Sequence, residues 1–213
     1  MIKVIIFDFD GVLVESVDIK TEAFRQLFKD HGKAVEDAVV RYHELNTGVP
    51  RREKFRYIYQ SILEQKADEA VLNHMCSEFG GLVKKKVTAA PYVHGAASFL
   101  EDNVSRYTMF IASAAPQAEL EEIISERGMG KWFSRIYGAP VSKKEAVQKI
   151  LIYAGVKASE AVFVGDAMAD YNAAAANGVQ FIARVAGDRD VFGNIQCPRI
   201  KNLISLEKVI LQI

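Results

Sequence analysis

Two kinds of apolar pattern alternate along this chain. Short, nearly continuous apolar runs occur at 4–9 (VIIFDF), 107–112 (YTMFIA), 134–138 (SRIYG), 161–165 (AVFVG) and 179–183 (VQFIA). Their length and their β-branched and aromatic content predict strands, each followed by a turn or by helical periodicity. Buried strands alternating with helices imply a Rossmann-like α/β fold, a parallel sheet with helices on both faces. The helix signals agree. Pro116 suits a first helical turn, with Leu120, Ile123 and Ile124 on one face and a stop at Gly128. Ser142 and Glu145 have capping-box spacing ahead of Ala146, Val147, Ile150 and Leu151, and Gly155 closes that helix. "MADYNAAAANG" predicts a helix ending at Asn177 and Gly178, and 205–212 (SLEKVILQ) predicts a closing one.

Nearly a hundred residues separate the first two strands, where a crossover of about a dozen would serve. The segment is periodic, so it is not a loop. Ile19, Ala23, Leu27 and Phe28 form one helical stripe, and Phe55, Ile58, Tyr59, Ile62 and Leu63 form another. Residues 35–45 and 68–87 carry the same period more weakly. Four helical segments here predict a small all-helical cap domain over residues 15–90, inserted into a core made of 1–14 and 91–213.

Composition narrows the partners. Lys+Arg 27 balance Asp+Glu 27, so no overall field draws nucleic acid or an anionic membrane, and an anion must be caught locally. Cys76 and Cys197 have no metal or disulfide spacing and read as free thiols. The start "MIKVIIF" enters a strand without signal-peptide features, and no apolar run reaches the length of about 18 residues needed for a membrane span. A cytoplasmic setting is expected, and the oligomeric state is left open.

In an open parallel sheet, ligands bind beyond the carboxyl ends of the strands, where loops and helix N-termini converge. The polar groups of this chain fall on that edge. The first strand ends in Asp8 and Asp10, the second in Ser113, the third leads to Lys143, and the fourth ends in "GDAMAD" with Asp166 and Asp170. Such a set suits phosphoryl transfer through an aspartate. Clustered carboxylates repel unless a cation is present, and magnesium takes carboxylate and phosphate oxygens while neutralising transferred charge.

"DFDGVL", "FIASAAP", Lys143 in "GAPVSKKEAV" and "VFVGDAMADYNAAAANG" resemble, in order, the four motifs of the haloacid dehalogenase superfamily. The long insertion resembles the helical cap of the branch containing phosphoglycolate phosphatases and β-phosphoglucomutases. The resemblance implies a magnesium-dependent phosphatase acting on a small phosphorylated metabolite. It implies Asp8 as nucleophile and metal ligand, and Asp10 as general acid/base whose backbone carbonyl also helps hold the metal. Ser113, Ala114 and Lys143 take the phosphate-binding positions, with Ala114 where members often carry Asn and Lys144 as the alternative lysine. Asp166 completes the metal site, and Asp170 is a further ligand or orients metal-bound water.

Other readings stay in view. A phosphomutase uses the same residues, and a receiver-like signalling domain also accepts phosphate on a strand-end Asp. Asp10 argues against dehalogenation, and no GxGxxG follows the first strand to support a dinucleotide site. In "NTGVPRREKF", Arg51, Arg52 and Lys54 form either a site for a second anionic group of the substrate or a solvated basic turn. His31, His43, His74 and His94 lack metal spacing and are expected at the surface. Trp132 and Phe133 are expected in the core, and Lys84–Lys86 on a solvated helix face.

Overall fold

A computed structural model describes residues 1–187 and 190–213. Six strands, β1 (Val4–Phe7), β2 (Thr108–Pro116), β3 (Arg135–Ala139), β4 (Ala161–Gly165), β5 (Gln180–Arg184) and β6 (Arg199–Ile200), form one parallel sheet in the order β3-β2-β1-β4-β5-β6. All of β1 is buried because both faces are covered. Alternate side chains feed separate cores: Ile5 and Phe7 join Ile111, Val162 and Val164 on one face, while Val4 and Ile6 join Phe110, Ala112 and Phe163 on the other. The sheet order reverses at β1, which places the Asp8–Asp10 turn at the switch point, where such sheets open a crevice.

The insertion after β1 comprises α1 (Val17–Phe28), α2 (Lys33–Leu45), α3 (Arg51–Tyr57), continued by a π-helical turn over Ile58–Ile62, α4 (Glu69–Ala89) and α5 (Ala96–Asn103). The first four match the periodic segments. They close on an aromatic centre in which Phe24 lies 5.3 Å from Phe55 and 4.7 Å from Phe79, ring centroid to centroid. Helix α5 is not legible in the periodicity, since its eight residues bury only Ala96, Phe99, Leu100 and Asn103. It packs on the sheet through Phe99, edge-on to Phe7 at 6.1 Å.

The chain leaves and rejoins the sheet along two segments lying side by side. Glu15 N donates to Pro91 O at 3.0 Å and Val93 N to Leu13 O at 3.0 Å. The remaining helices are α6 (Gln117–Glu126), α7 (Lys143–Ala154), α8 (Met168–Ala176) and α9 (Leu206–Ile210). Pro116 lies one residue outside its expected helix: its pairing with Ala139 keeps it extended at ψ 138°, and α6 begins at Gln117. The Ser142 half of the expected capping box on α7 forms, with Ser142 Oγ accepting from Glu145 N at 3.2 Å, while the Glu145 carboxylate pairs with Lys149 at 2.9 Å, and Gly155 ends that helix at φ +64°.

Candidate active site

The β1 turn, the β4–α8 turn and the first residue of α7 converge at the carboxyl edge of the sheet. Asp8, Asp166 and Asp170 present carboxylate oxygens all within 4.8 Å of one another. Lys143 Nζ sits between two of them, 2.8 Å from Asp8 Oδ2 and 2.5 Å from Asp170 Oδ1. The other oxygen of Asp170 accepts from Ala167 N at 3.0 Å, closing the first turn of α8. Lys144 is exposed, so only Lys143 reaches the cluster. Gly11 makes the packing possible: its φ is +74°, and a side chain there would strike the Asp166 carboxylate. Ser113 is buried on β2 with its hydroxyl accepting from Ala115 N at 3.2 Å, and Ala114 lines the cavity above Asp8.

Electrostatics follow from burial and crowding. Burial pushes the Asp8 carboxyl up to about 7, with Lys143 pulling it down and Asp170 and Asp10 adding to the rise. Burial, Asp8 and Asp170 together hold Asp166 well above the usual carboxylate range. Burial opposes the charge on Lys143, but Asp170 and Asp8 outweigh it and raise that ammonium above the ordinary lysine range. Three clustered carboxylates facing one lysine leave negative charge uncompensated, which is the donor set a hard divalent cation fits.

The insertion supplies the roof, and much of it was not legible in the sequence. Lys20 of α1 forms an ion pair with Asp10 Oδ2, and Ser16 Oγ donates to Asp10 Oδ1 at 2.6 Å. Burial alone would raise Asp10, but Lys20 and Ser16 outweigh it and leave its carboxyl lowered. His43, expected at the surface, is only 2 % exposed. It points inward from α2, tilted against the Phe24 ring at 4.6 Å, and its Nδ1 lies 2.8 Å from Lys54 Nζ. The correction has a simple cause: α2 buries Val39, Val40 and His43, and spacings of three and four are a helix face whether or not the third residue is apolar. Burial, with Lys54 and Lys20 adding to it, pushes His43 down to about 2. Burial, Lys20 and Lys143 likewise press Lys54 well below the ordinary lysine range.

The basic segment 51–54 divides. Lys54 and Arg51 both line the cavity over Asp8. Arg51 is buried, engages Glu119 of α6 through both guanidinium Nη atoms, and lies 4.7 Å over the Phe79 ring. Arg52 is turned outward to Asn73 at 2.8 Å and to Glu69. Two further groups carry no motif. Arg184 at the end of β5 donates to Gly11 O at 3.1 Å and grips Glu15, with Nη2 at 2.6 Å from Oε1. Arg127 donates to Thr88 O at 2.6 Å and Ala90 O at 2.7 Å where α4 returns to the sheet.

Trp132 and Phe133 are buried and Lys85 and Lys86 face solvent, as expected, but Lys84 is half-buried and forms an ion pair with Glu122 of α6, because α4 packs its flank against that helix. Cys76 and Cys197 are unpaired thiols. Among the described residues, no helix is long and apolar enough to cross a membrane.

A parallel sheet whose switch point gathers an aspartate cluster and a buried lysine, roofed by an inserted helical unit, defines an enzyme of the α/β hydrolytic type. Residues 5–184 match the family model described as haloacid dehalogenase-like hydrolase. The chain belongs to that family. It is 28% identical over 186 residues to a 5'-nucleotidase of Pseudomonas aeruginosa, covering 84% of this chain and 80% of that protein. It is 26% identical over 190 residues to a phosphoglycolate phosphatase of Pseudomonas savastanoi pv. phaseolicola, covering 85% and 68%. Among solved structures it resembles the HAD-hydrolase YfnB of Bacillus subtilis, bound to magnesium, with TM-score 0.74, 16% identity and coverage of 100% and 99%.

Proposed function

We propose that this protein is a magnesium-dependent phosphatase that hydrolyses a small organic phosphate monoester through an aspartyl-phosphate on Asp8. The observation that carries the reading is the contact of Lys143 Nζ with Asp8 Oδ2 at 2.8 Å inside the three-carboxylate cluster. It pairs a strand-end nucleophile with the cation that receives a phosphate oxygen. The 5'-nucleotidase and phosphoglycolate phosphatase relatives support phosphate esters as substrates, and the magnesium in the Bacillus subtilis structure supports that cation.

Asp8, Asp166 and the backbone carbonyl of Asp10 are the assigned metal holders. Both Asp170 oxygens are already engaged by Lys143 and Ala167 N, which favours Asp170 as the group that orients Lys143. When bound, magnesium supplies charge neutralisation for the transferring phosphoryl group. Asp8 attacks phosphorus in line, the ester P–O bond breaks, and Asp10 gives its proton to the departing oxygen. Asp10 then takes a proton from the water that attacks the aspartyl-phosphate, releasing inorganic phosphate and restoring Asp8. The Lys20 contact holds Asp10 ionised, as the second half requires. A phosphate dianion above Asp8 raises the cost of the Asp10 charge and so favours the protonated form needed first. Ser113, the Ala114 backbone and Lys143 bind the phosphate oxygens, and Lys54, with Arg51 beside it, meets the anionic substrate from above.

Residues 15–90 act as the cap and 1–14 with 91–213 as the core. The cap pivots at the paired segments around Glu15 and Pro91, which Arg184 and Arg127 pin from the core side. The test is release of inorganic phosphate from a panel of monoesters with magnesium, with EDTA, and with Asp8→Asn. Release that survives EDTA or Asp8→Asn refutes the proposal. An isomerised sugar phosphate in place of free phosphate would identify a mutase.

A further inference from the structure

Lys54 reaches from α3 into the roof of the cavity over Asp8 and is only 2 % exposed. That cavity has a volume of about 40 Å³, space for about two or three waters, so solvent does little to carry a charge there. Among the described residues, Lys54 Nζ has two hydrogen-bond neighbours, and neither is an anion: His43 Nδ1 at 2.8 Å and the Thr47 carbonyl at 3.3 Å. The Phe24 ring lies on another side, its centroid 5.6 Å from Nζ. The other cations that line the cavity each hold a carboxylate: Lys20 has Asp10, Lys143 has Asp8 and Asp170, and Arg51 has Glu119. Lys54 therefore stands at the mouth of the carboxylate cluster without a counter-charge of its own.

The charges facing Lys54 come from every element around it. Burial is the largest effect and opposes an ammonium, Lys20 on α1 and Lys143 on α7 oppose it too, and Asp10 and Asp166 across the cavity favour it without cancelling the rest. A buried ammonium without a counter-ion is costly, and an amine escapes that cost by giving up its proton. His43 suits both forms of its neighbour. Its Nδ1 accepts from an ammonium or donates its own proton to a neutral amine, and the choice is ordinarily fixed by the bond that the other ring nitrogen makes. Here Nε2 is buried with no partner, so no second bond fixes the tautomer.

We infer that Lys54 and His43 form a proton-coupled anion receptor: the amine stays uncharged until a dianion enters the cavity and gains one proton as the dianion binds, while His43 is the positioning residue that holds it. The inference takes the location of the phosphate from the phosphatase reading and adds how the roof answers its charge. The entering dianion supplies the missing counter-charge, so the ammonium becomes the favoured form. His43 passes its Nδ1 proton to the Lys54 lone pair and receives a solvent proton at Nε2. One N–H bond breaks, two form, the net uptake is one proton, and nothing is oxidised or displaced. Departure of the anion reverses the transfer.

The test titrates sulfate into the magnesium-loaded full chain by calorimetry at pH 7.5, in two buffers of different ionisation enthalpy, which counts the protons taken up per anion bound. Sulfate is the probe because, unlike phosphate, it exchanges no proton near neutrality. The wild type should take up about one proton more per sulfate than Lys54→Met, which lacks the amine. Equal uptake in the two proteins puts the proton on another group, such as Asp10, and overturns the inference, as does a wild type with no saturable sulfate binding. NMR of the lysine side chains, with Lys54 assigned by its loss in Lys54→Met, decides the matter without the variant's binding. The wild-type resonance should be that of a neutral amine before sulfate and of an ammonium after it, and an ammonium before sulfate overturns the inference. His43→Phe keeps a ring but neither nitrogen and should weaken sulfate binding about tenfold or more, whereas His43→Gln, whose amide accepts or donates, should weaken it about threefold or less. Unweakened binding in His43→Phe overturns the positioning role. Proton uptake at Lys54 with no phosphate released from any monoester would sink the phosphatase reading and leave the receptor standing, so the two failures are distinct.

Discussion

His43 gives the sharpest physical prediction. The imidazole is buried on α2 against Phe24 with Lys54 on its Nδ1 and Lys20 nearby, and its pKa falls from 6.5 to about 2. A pKa lower in the folded than in the unfolded state means that the unfolded chain binds the extra proton between those values. Stability from the neutral ring is therefore fully present above pH 6.5 and is lost progressively as pH falls below it. At pH 5 the unfolded state gains about 2 kcal/mol from protonating this one ring, a figure set almost wholly by the unfolded value. With an m-value of about 2–3 kcal/mol/M, the urea midpoint should fall by somewhat under 1 M between pH 7.5 and 5 from this group alone.

The assay compares urea unfolding of the wild type and His43→Gln at both pH values, alongside NMR titration of the histidine ring protons. The variant should show a pH loss smaller by about 2 kcal/mol. The His43 ring resonances, identified by their loss in the variant, should stay flat across this range. Equal pH losses in the two proteins, or a His43 ring titrating near pH 6.5, would refute the reasoning.

Removing magnesium should expose the strain in the carboxylate cluster. Asp8 is raised to about 7, so the folded apo state binds its proton more tightly than the unfolded chain and loses stability as pH rises from about 4 towards 7. Metal binding competes with that proton, so the Tm increase on adding magnesium should be larger at pH 8 than at pH 5.5; a pH-independent increase contradicts it. Lys143→Met leaves Asp8 and Asp170 without their shared cation and should cost about 3–5 kcal/mol in urea unfolding without magnesium. Lys144→Met, on the exposed side of the same helix start, should stay within about 0.5 kcal/mol of wild type, and similar losses in both would contradict the site. Glu119→Gln weakens the buried contact that ties Arg51 to α6 and should increase the radius of gyration in small-angle scattering without ligand; an unchanged profile argues against Arg51–Glu119 as a closure contact.

The amino-acid order alone was enough for the parallel sheet, because buried strands in such a sheet must be apolar on both faces, and the five runs from VIIFDF to VQFIA say so. It was enough, too, for the helical insertion, whose stripes at Ala23–Phe28 and Phe55–Ile58 repeat with the α-helical period. Asp8, Asp10 and the GDAMAD aspartates were visible because each stands beside the strand that places it, a relation carried by neighbouring residues.

What stayed hidden depends on separations that no local pattern encodes. Helix α5 and the two-residue β6 are too short for a period to register. The grip of Arg184 on Glu15 spans 169 residues, and that of Arg51 on Glu119 spans 68. The Lys20–Asp10 contact exists only because the insertion folds back over the end of the strand it follows. Lys143 and Lys144 are adjacent in sequence and equal in chemistry, and the direction of the first turn of α7 separates them. Burial of His43 was the same kind of event: one helix face gained an aromatic partner, Phe24, and a lysine, Lys54, from two other helices. Side-chain burial and charge pairing are set by which surfaces meet, and only the folded chain brings those surfaces together.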